Sequence, residues 1–385
     1  MKRKTKVLIL EGTIASYMLP IYEQLSNEID LNVMFCAVKM KGRLWLPRLE
    51  KHSFNYEVLK NFSLGPFVIN PTLPFKLLFH NYDILYLMDA PRHIFSQSLA
   101  LMVTKLLRRK IVIGSVIHHN TRFPIYTSWF ISPEKSNLLS TFLEGIARGL
   151  LNAYRKIIYR SANIIVALSN KTKEYVLKLG IPQNKIFTGA YVMPETLLYK
   201  KSDYTNQKFK DKKIILCVSY FKKYKGIDYL IRTFKSLERN DAALMIMGTG
   251  EEEEKLKSLA AGGKNILFLG YLDGEEKARY YSIADIFIHP TLYDSWGLII
   301  NEAMYYGLPI ITTDAAGATD IIRGNGIVIE AGNESQLRQA IENLLDNDEL
   351  RKEMAIRSRE IIKNYDTRYM VNFLKSAIEH AYQSV

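Results

Sequence analysis

The stretch IHPTLYDSWGLIINEAMYYGLPIITTDAAGATDII spans residues Ile288 to Ile322. An apolar run ends at His289, a short polar loop follows, and a helical pattern begins near Gly297. A second apolar run, PIITT, comes directly after that helix. A strand, a loop, a helix and a strand in this order predict one parallel βαβ unit.

The same alternation extends in both directions from this stretch. Downstream of a polar break at residues 200–213, the strand-like runs are KIILCVS, ALMIMG, ILFLG, DIFIHP, PIITT and GIVIE. Upstream of the break they are KVLIL, LNVMFCAV, YDILYLM, KIVIGSVI and NIIVAL, with helical patterns near residues 19–27 and 95–107. The pattern predicts an α/β protein of two doubly wound parallel-sheet domains, at residues 1–200 and 201–366, followed by a closing helix over 367–385. That last helix is expected to pack on the N-terminal domain.

The start of the helix at Gly297 is a candidate anion site. The amides of Gly297, Leu298 and Ile299 have no carbonyl partner one turn earlier, and the helix dipole favours negative charge there, which would suit a diphosphate. Asp294 in the loop can accept hydrogen bonds from sugar hydroxyls, and Glu302 in the helix can reach a vicinal diol such as a ribose. Alternatively, Asp294 only caps the helix and Glu302 is a solvated helix residue.

This stretch resembles glycosyltransferase family 4, a retaining group with the GT-B fold whose signature is Glu-x7-Glu within EGFGLxxxEAMxxGxPV. The chain reads DSWGLIINEAMYYGLPI, so Asp294 replaces the first Glu and Trp296 the usual Phe. The shared positions are Gly297, Glu302, Ala303, Met304, Gly307 and Pro309, with the later Gly317. The resemblance implies that the donor is bound by Ser295, Trp296, Gly297, Leu298, Ile299 and Glu302, and that Asp294 is catalytic.

A second motif opens the C-terminal domain. CVSYFKKYKGIDYLIRTF is similar to the family pattern GRLxxxKGxDxLIxAF, in which an Arg and a Lys neutralise the donor diphosphate. Lys225 and Gly226 match, whereas Tyr220 stands at the Arg position. The resemblance therefore implies that Lys225 binds the diphosphate, with Lys222 or Lys223 as the second cation.

The N-terminal half follows the family more loosely. The loop after the first strand keeps one glycine, Gly12, where the family has a glycine-rich loop, and Gly12 is assigned to the donor side of the site. The run KIVIGSVI is followed by His118 and His119, and the family often has a His beside the transferred sugar. Strand alternation sends the two rings to opposite faces, and alignment with the family favours His118 as the catalytic residue.

Charge is distributed unevenly along the chain. The net charge of the 385 residues is +13, and residues 1–200 hold 27 Lys and Arg against 12 Asp and Glu. Such a half attracts nucleic acid, anionic lipid or phosphorylated substrate. Nucleic-acid motifs are absent, so anionic membrane or phosphate is favoured and no nucleic acid is expected. NAD is also excluded, because Gly248-Thr249-Gly250 lacks a third glycine and precedes four glutamates.

Residues 137–159 carry an unusually wide apolar stripe, with Arg148 and Arg155 expected opposite it. Two interpretations are open, a core helix or a helix in contact with membrane. The upstream Trp129 and Phe130 would be interfacial anchors in the second case. The apolar run at Val7–Leu10 is too short for a signal peptide, and no run is long enough to span a membrane. Together with two cysteines in apolar runs, this favours a cytoplasmic protein, peripheral at the inner face of the membrane.

The resemblance implies an enzyme that transfers a sugar from a UDP- or GDP-sugar to a membrane-associated glycan or glycolipid, in surface polysaccharide biosynthesis. The N-terminal domain would bind the acceptor, the C-terminal domain would bind the nucleotide-sugar, and the reaction would take place between them. No metal and no cofactor are expected, because lysines and a helix terminus supply the positive charge. The alternatives are a GT-B epimerase or phosphorylase, and a non-catalytic basic protein that binds membrane or nucleic acid.

Overall fold

The computed structural model describes residues 4–38, 49, 52–118, 138–204, 209, 211–263 and 265–384, with the backbone alone for residues 138–144. The strands are β1 Lys6–Thr13, β2 Asp30–Ala37, β3 Asn55–Val58, β4 Phe62–Leu64, β5 Phe67–Ile69, β6 Ile84–Met88, β7 Lys110–Ser115, β8 Ile164–Ala167, β9 Ile186–Thr188, β10 Lys213–Val218, β11 Ala242–Met247, β12 Ile266–Gly270, β13 Ile286–His289, β14 Ile310–Thr313 and β15 Gly326–Ile329. The helices are α1 Leu19–Glu28, α2 Leu73–Phe79, α3 Ile94–Leu106, α4 Leu138–Ser161, α5 Asn170–Lys178, α6 Ile227–Ser236, α7 Glu253–Ala260, α8 Gly274–Ile283, α9 Leu298–Tyr305, α10 Glu334–Asp346, α11 Asp348–Ile362 and α12 Thr367–Gln383.

The described chain divides into two compact units. The first contains the described residues up to 190 together with 367–384, and the second contains those between 191 and 366. The expected boundary at residue 200 falls inside the second unit, because the segment before it is bonded there. Asn301 Nδ2 donates to the Tyr191 carbonyl at 3.1 Å, and the Tyr306 hydroxyl donates to the Tyr199 carbonyl at 2.8 Å.

The first unit is built on a parallel sheet of order β3-β2-β1-β6-β7-β8-β9. Its central strands β1 and β6 are buried over nearly their whole length, as expected for a sheet covered on both faces. Leu8 and Leu10 of β1 belong to a core that includes residues of α2, α3, α4 and α5. Helix α12 packs on α1 and β7, and Lys375 Nζ lies 2.7 Å from Glu28 Oε2.

The second unit has a parallel sheet of order β12-β11-β10-β13-β14-β15. This is the order of the doubly wound nucleotide-binding fold, in which the direction of winding reverses between the first and fourth strands. The reversal lies between β10 and β13, where Leu216 is paired with Phe287. The predicted GT-B fold, two doubly wound parallel-sheet domains, is therefore confirmed.

Four strands were not predicted from the sequence. Strands β3 and β9 lie at the two edges of the first sheet, and β4 and β5 form a separate antiparallel hairpin. All four are three or four residues long, so their hydrophobic period is too short to be recognised.

Candidate active site

Lys225 and Asp294 meet at the point where the second sheet reverses its winding. Lys225 lies in the loop after β10 and Asp294 in the loop after β13. Lys225 Nζ donates to Asp294 Oδ2 at 2.6 Å, and both side chains are largely buried. Ligands of doubly wound folds bind at this edge, outside the carboxyl ends of the strands.

Gly226 holds the two loops together. Its φ is +67°, in the left-handed region, and a Cβ built on it would lie 2.1 Å from the Pro290 carbonyl oxygen. No larger residue fits there without moving one loop away from the other. The Tyr229 hydroxyl donates to the same carbonyl at 2.6 Å, and the Leu292 amide donates to the Tyr224 carbonyl at 2.8 Å. Lys225 is therefore fixed against the loop that carries Asp294.

A third loop supports Asp294 from the other side. The Asp294 amide donates to the Ala315 carbonyl at 3.2 Å, and the Gly317 amide donates to the Asp294 carbonyl at 3.1 Å. A Cβ on Gly317 would lie 2.1 Å from the Ser295 carbonyl oxygen, so a glycine is required at this close approach. The match of Gly317 to the family pattern thus has a packing reason.

Burial and charge act in opposite directions on Asp294. Burial raises the pKa of this carboxyl, but the Lys225 ammonium and the neighbouring His289 lower it by more than burial raises it. The net pKa therefore lies well below its ordinary value. Asp294 is consequently ionised at neutral pH. When a ligand anion binds the lysine, a buried carboxylate paired with that lysine can accept hydrogen bonds from sugar hydroxyls instead.

His289 is a site residue that sequence reasoning missed. It is buried at the end of β13, and its Nε2 lies 3.1 Å from Asp294 Oδ2 without the alignment of a hydrogen bond. Burial lowers the pKa of His289, Asp294 raises it and Lys225 lowers it, for a net decrease. Its position at the end of the strand before the acidic loop was the only signal in the sequence.

The backbone turns sharply at the start of α9. Gly297 has a φ of +99°, and a Cβ on it would lie 3.2 Å from His289 Nε2. The amides of Leu298 and Ile299 follow in the first turn, where a helix has no internal acceptor for them. The geometry is that of a helix N-terminus next to a Lys–Asp pair.

Trp296 and Ser295 contribute differently to this loop. The Trp296 indole is buried, donates from Nε1 to Asn301 Oδ1 at 2.8 Å and packs near the Tyr191 ring. Its side chain therefore supports the loop from inside the second unit. Ser295 Oγ lies 3.4 Å from the Tyr293 hydroxyl.

Glu302 is not a solvated helix residue. It is only 6% exposed, and its Oε2 lies 2.6 Å from Nζ of Lys277 in α8. Lys277 was also not predicted as a site residue. It lies in a helix that begins GEEKAR, and nothing in that sequence distinguishes it from an ordinary surface lysine. The pair places a carboxylate on the inner side of α9, eight positions after Asp294.

Of the three candidate cations Lys222, Lys223 and Lys225, only Lys225 contacts Asp294. Lys222 is partly exposed, and its Nζ lies 3.5 Å from Glu251 carboxylate oxygens. Lys223 is exposed in a short 3-10 helix that ends at Lys225. Tyr220, at the family's Arg position, is also exposed.

In the first unit, Gly12 packs against a histidine. A Cβ on Gly12 would lie 2.9 Å from Cδ2 of His93, which is buried after β6. Burial, and next the nearby Arg92, lowers the pKa of His93 to about 4. The adjacent Glu11 accepts a short hydrogen bond from the Tyr22 hydroxyl, and burial raises the pKa of Glu11 to about 7 against that hydrogen bond. Gly12 thus lies beside two buried ionisable groups.

His118 follows β7 and is 2% exposed, and His119 lies outside the described residues. Beside the end of β7, Asp89 Oδ2 accepts hydrogen bonds from Arg155 Nε at 3.0 Å and from the Tyr159 hydroxyl at 2.5 Å. The Tyr159 oxygen lies 2.9 Å from Ser115 Oγ. Arg155, predicted on the outer side of α4, is therefore buried, because Asp89 supplies a partner for its charge.

The described ranges contain no group of three or more His, Cys, Asp or Glu side chains that could hold a metal ion. Within the same ranges, no helix combines the length and apolar content needed to cross a lipid bilayer.

The sequence of the second unit matches a known protein family. Residues 199–361 match the family model described as "Glycosyl transferases group 1". An uncharacterised glycosyltransferase of Methanocaldococcus jannaschii is 33% identical over 143 residues, which are 36% of this chain and 37% of that protein. The match thus covers well under half of the length of that relative.

Other relatives match over more of the chain. A second uncharacterised glycosyltransferase of the same organism is 24% identical, over 98% of this chain and 99% of its own length. The phosphatidyl-myo-inositol mannosyltransferase of Mycobacterium leprae is 28% identical, over 68% of this chain and 67% of its own length.

The fold has solved counterparts as well. The crystal structure of Anabaena HepE in complex with UDP aligns with a TM-score of 0.72, covering 97% of this chain and all of that one, at 18% identity. At this identity the likeness shows the fold alone. With the match over residues 199–361 and the relatives above, the chain has the GT-B fold, and residues 199–361 are similar in sequence to group 1 glycosyl transferases.

Proposed function

We propose that the enzyme transfers a sugar from a UDP- or GDP-sugar, with retention of anomeric configuration, to a glycan or glycolipid acceptor at a membrane. The observation that carries the proposal is the buried Lys225–Asp294 pair beside the N-terminus of α9. It provides a cation, a carboxylate and a helix terminus at one edge of one sheet. A nucleoside diphosphate linked to a sugar requires these three groups.

The donor diphosphate is placed against Lys225 and the amides of Leu298 and Ile299. As the glycosidic bond breaks, the leaving diphosphate gains negative charge, which the ammonium and the helix dipole stabilise. Lys223 lies exposed in the same loop and adds positive potential near this position, whereas Lys222 is paired with Glu251. The HepE complex with UDP supports a nucleotide-sugar as the donor class.

Asp294 orients the sugar in this proposal. Once the diphosphate binds Lys225, the carboxylate loses its closest partner and can accept hydrogen bonds from sugar hydroxyls. Glu302 accepts hydrogen bonds from the ribose hydroxyls, and Lys277 holds its carboxylate in place. No resident metal ion is required in this scheme, because Lys225 and the helix terminus carry the compensating charge.

The acceptor is assigned to the first unit, with His118 near its site. Two relatives have names that state a lipid or capsular role, namely the M. leprae phosphatidyl-myo-inositol mannosyltransferase and the capsular polysaccharide biosynthesis glycosyltransferase CapM of Staphylococcus aureus. They support a role in the biosynthesis of a surface glycan or glycolipid.

A thermal-shift screen of nucleotide-sugars tests the donor assignment. A ligand at 100 times its dissociation constant adds roughly 2.7 kcal/mol to the free energy of unfolding. One UDP- or GDP-sugar should raise the Tm of the wild type, and the same compound should raise the Tm of Lys225→Ala much less. No shift with any UDP- or GDP-sugar would contradict the proposal.

A further inference from the structure

Helix α4 carries apolar side chains on its solvent side. Ile146, Leu150 and Ile157 lie four and seven residues apart on one face, and Leu150 and Ile157 are 67% and 69% exposed. Arg155 is half a turn away from this face and is buried against Asp89. The part of α4 whose side chains are described thus presents large apolar side chains to solvent, beside the exposed Arg148, Lys156 and Arg160.

Helix α3 continues the exposed apolar surface. Phe95, Met102 and Leu106 share one face of α3, and Leu106 is 73% exposed. The two helices are joined at Ser98, whose Oγ lies 3.2 Å from the Tyr154 hydroxyl of α4. The apolar faces of α3 and α4 are therefore neighbours.

The hairpin β4–β5 and helix α2 extend the same region. The rings of Phe67 in β5 and Phe95 in α3 pack edge to face, with centroids 5.3 Å apart. Both apolar residues of β4, Phe62 and Leu64, are more than half exposed. Helix α2 packs on α3 and leaves Phe79 88% exposed. We call the exposed sides of β4, α2, α3 and α4 together the apolar face.

Positive charge borders the apolar face. The sequences of β4–β5, α2 and α3 contain no Asp or Glu. Lys105 and Arg108 lie at the end of α3 and Lys156 and Arg160 on α4, all four exposed. None of the four has an ion pair with another described residue. Large apolar side chains with unpaired basic neighbours are typical of surfaces that enter the interface of an anionic bilayer.

We propose that the apolar face is the surface by which this enzyme docks on a bilayer containing anionic lipids. The apolar side chains would enter the headgroup and acyl boundary, and the four basic residues would contact the lipid phosphates. The proposal deepens the proposed function and rests on it for one point only, that the acceptor is held at the same membrane.

A second copy of the chain fits this face less well than a lipid surface does. A twofold interface would place the same basic border against itself. Because the hairpin, α2 and α3 offer no carboxylate, those charges would be brought together without a partner, which disfavours association.

The test is vesicle flotation of the full chain without donor or acceptor. The vesicles contain phosphatidylcholine, either alone or with about one third phosphatidylglycerol. The first variant, Leu106→Ser with Leu150→Ser, removes apolar contact. The second, Lys105→Ala with Lys156→Ala, removes charge. The controls are Ile356→Ser and Lys363→Ala on and just after α11, which change an exposed apolar and an exposed basic residue of the other unit.

The wild type and both controls should float with the anionic vesicles and remain unbound to phosphatidylcholine. The serine variant should partition at least about tenfold less, and the alanine variant about fivefold less for each lysine removed. Equal flotation of all five proteins would overturn the proposal. So would a wild-type dimer that the serine variant dissociates in the absence of lipid.

Failure of docking and failure of the proposed function are separated by a second measurement. Transfer to a short water-soluble acceptor should be the same in the wild type and in both docking variants, because none of their substitutions touches the candidate site. A protein that floats but transfers no sugar keeps the docking surface and loses the proposed activity. A protein that transfers sugar but never floats loses the docking surface alone.

Discussion

Lys225 Nζ lies 2.6 Å from Asp294 Oδ2, and the pair connects the loops that leave two adjacent strands, β10 and β13. These two opposite charges neutralise each other at the edge where a doubly wound sheet binds its ligand. In the proposed function a bound diphosphate would compete with Asp294 for Lys225, so donor binding and the release of the carboxylate would be coupled.

The pair should behave as one unit in unfolding experiments. Lys225→Ala leaves a buried carboxylate without its cation, and we expect a loss of about 2 kcal/mol in the free energy of unfolding. Adding Asp294→Asn should recover most of this loss, because the remaining charge is then removed. Urea unfolding of the wild type, both single variants and the double variant measures the coupling. Simple additivity of the two single effects would show that the contact contributes no stability.

Asp294 should be required for transfer in spite of its shorter side chain. Asp294→Asn removes the negative charge and is expected to lower kcat by about 100-fold, in the range found when one transition-state contact is lost. Asp294→Glu should not raise the transfer rate above that of the wild type, since the extra methylene must fit between Lys225 and His289.

The control for these substitutions is Asp241→Asn. Asp241 forms an ion pair with Arg239 just before β11, at the opposite edge of the same sheet, and its loss should leave transfer unchanged. A transfer rate unaffected by Asp294→Asn, with folding intact, would remove this residue from the mechanism.

His118 should act on turnover more than on donor binding. A group beside the reacting centre contributes mainly in the transition state, so His118→Ala should lower kcat by at least about tenfold and change the donor Kd little. Steady-state kinetics and donor titration on the same preparation separate the two effects, with Tm as the check on folding. A silent His118→Ala together with a damaging His119→Ala would assign the role to the other histidine.

Glu11 should make stability depend on pH. Its folded-state pKa of about 7 lies above the ordinary value of 4.5, so the folded protein holds a proton that the unfolded chain has released. Stability from this group is complete below about pH 4.5 and is lost as the pH rises to about 7, by up to about 3 kcal/mol. Glu11→Gln keeps an acceptor for the Tyr22 hydroxyl and should remove this slope.

The measurement is the difference in urea midpoint between Glu11→Gln and the wild type at pH 5 and pH 8. The difference cancels the opposite contribution of His93, whose lowered pKa reduces stability as the pH falls from about 6.5 to about 4. We expect Glu11→Gln to be more stable at pH 8 and close to the wild type at pH 5. An equal difference in urea midpoint at pH 5 and at pH 8 would mean that the pKa of Glu11 is not raised.

Local pattern was sufficient for the central strands of both sheets, because each is a continuous apolar run followed by a helical period. The loop carrying Asp294 and the loop carrying Lys225 were found because their glycines occur at close approaches, as at Gly226 and Gly317. Such approaches restrict the residue type, and a restricted type leaves a motif in the sequence.

Long-range pairs left no such signal. The partner of Glu302 is Lys277, and the partner of Arg155 is Asp89, 66 residues earlier in the chain. Helical periodicity predicted Arg155 on the outer side of α4, because the pattern shows that a residue is charged but does not show whether a buried partner neutralises it. The buried Asp89 reverses that assignment, and Ile146, Leu150 and Ile157 of the stripe are exposed instead.

Calorimetric titration of UDP and GDP into the wild type, Lys225→Ala and Lys363→Ala tests the central claim most directly. Loss of a charge-assisted contact to the diphosphate costs about 1.5–3 kcal/mol, which corresponds to at least a tenfold increase in Kd. One of the two nucleotides should bind the wild type and Lys363→Ala equally, and should bind Lys225→Ala at least about tenfold more weakly. Equal affinity for a folded Lys225→Ala variant would contradict it.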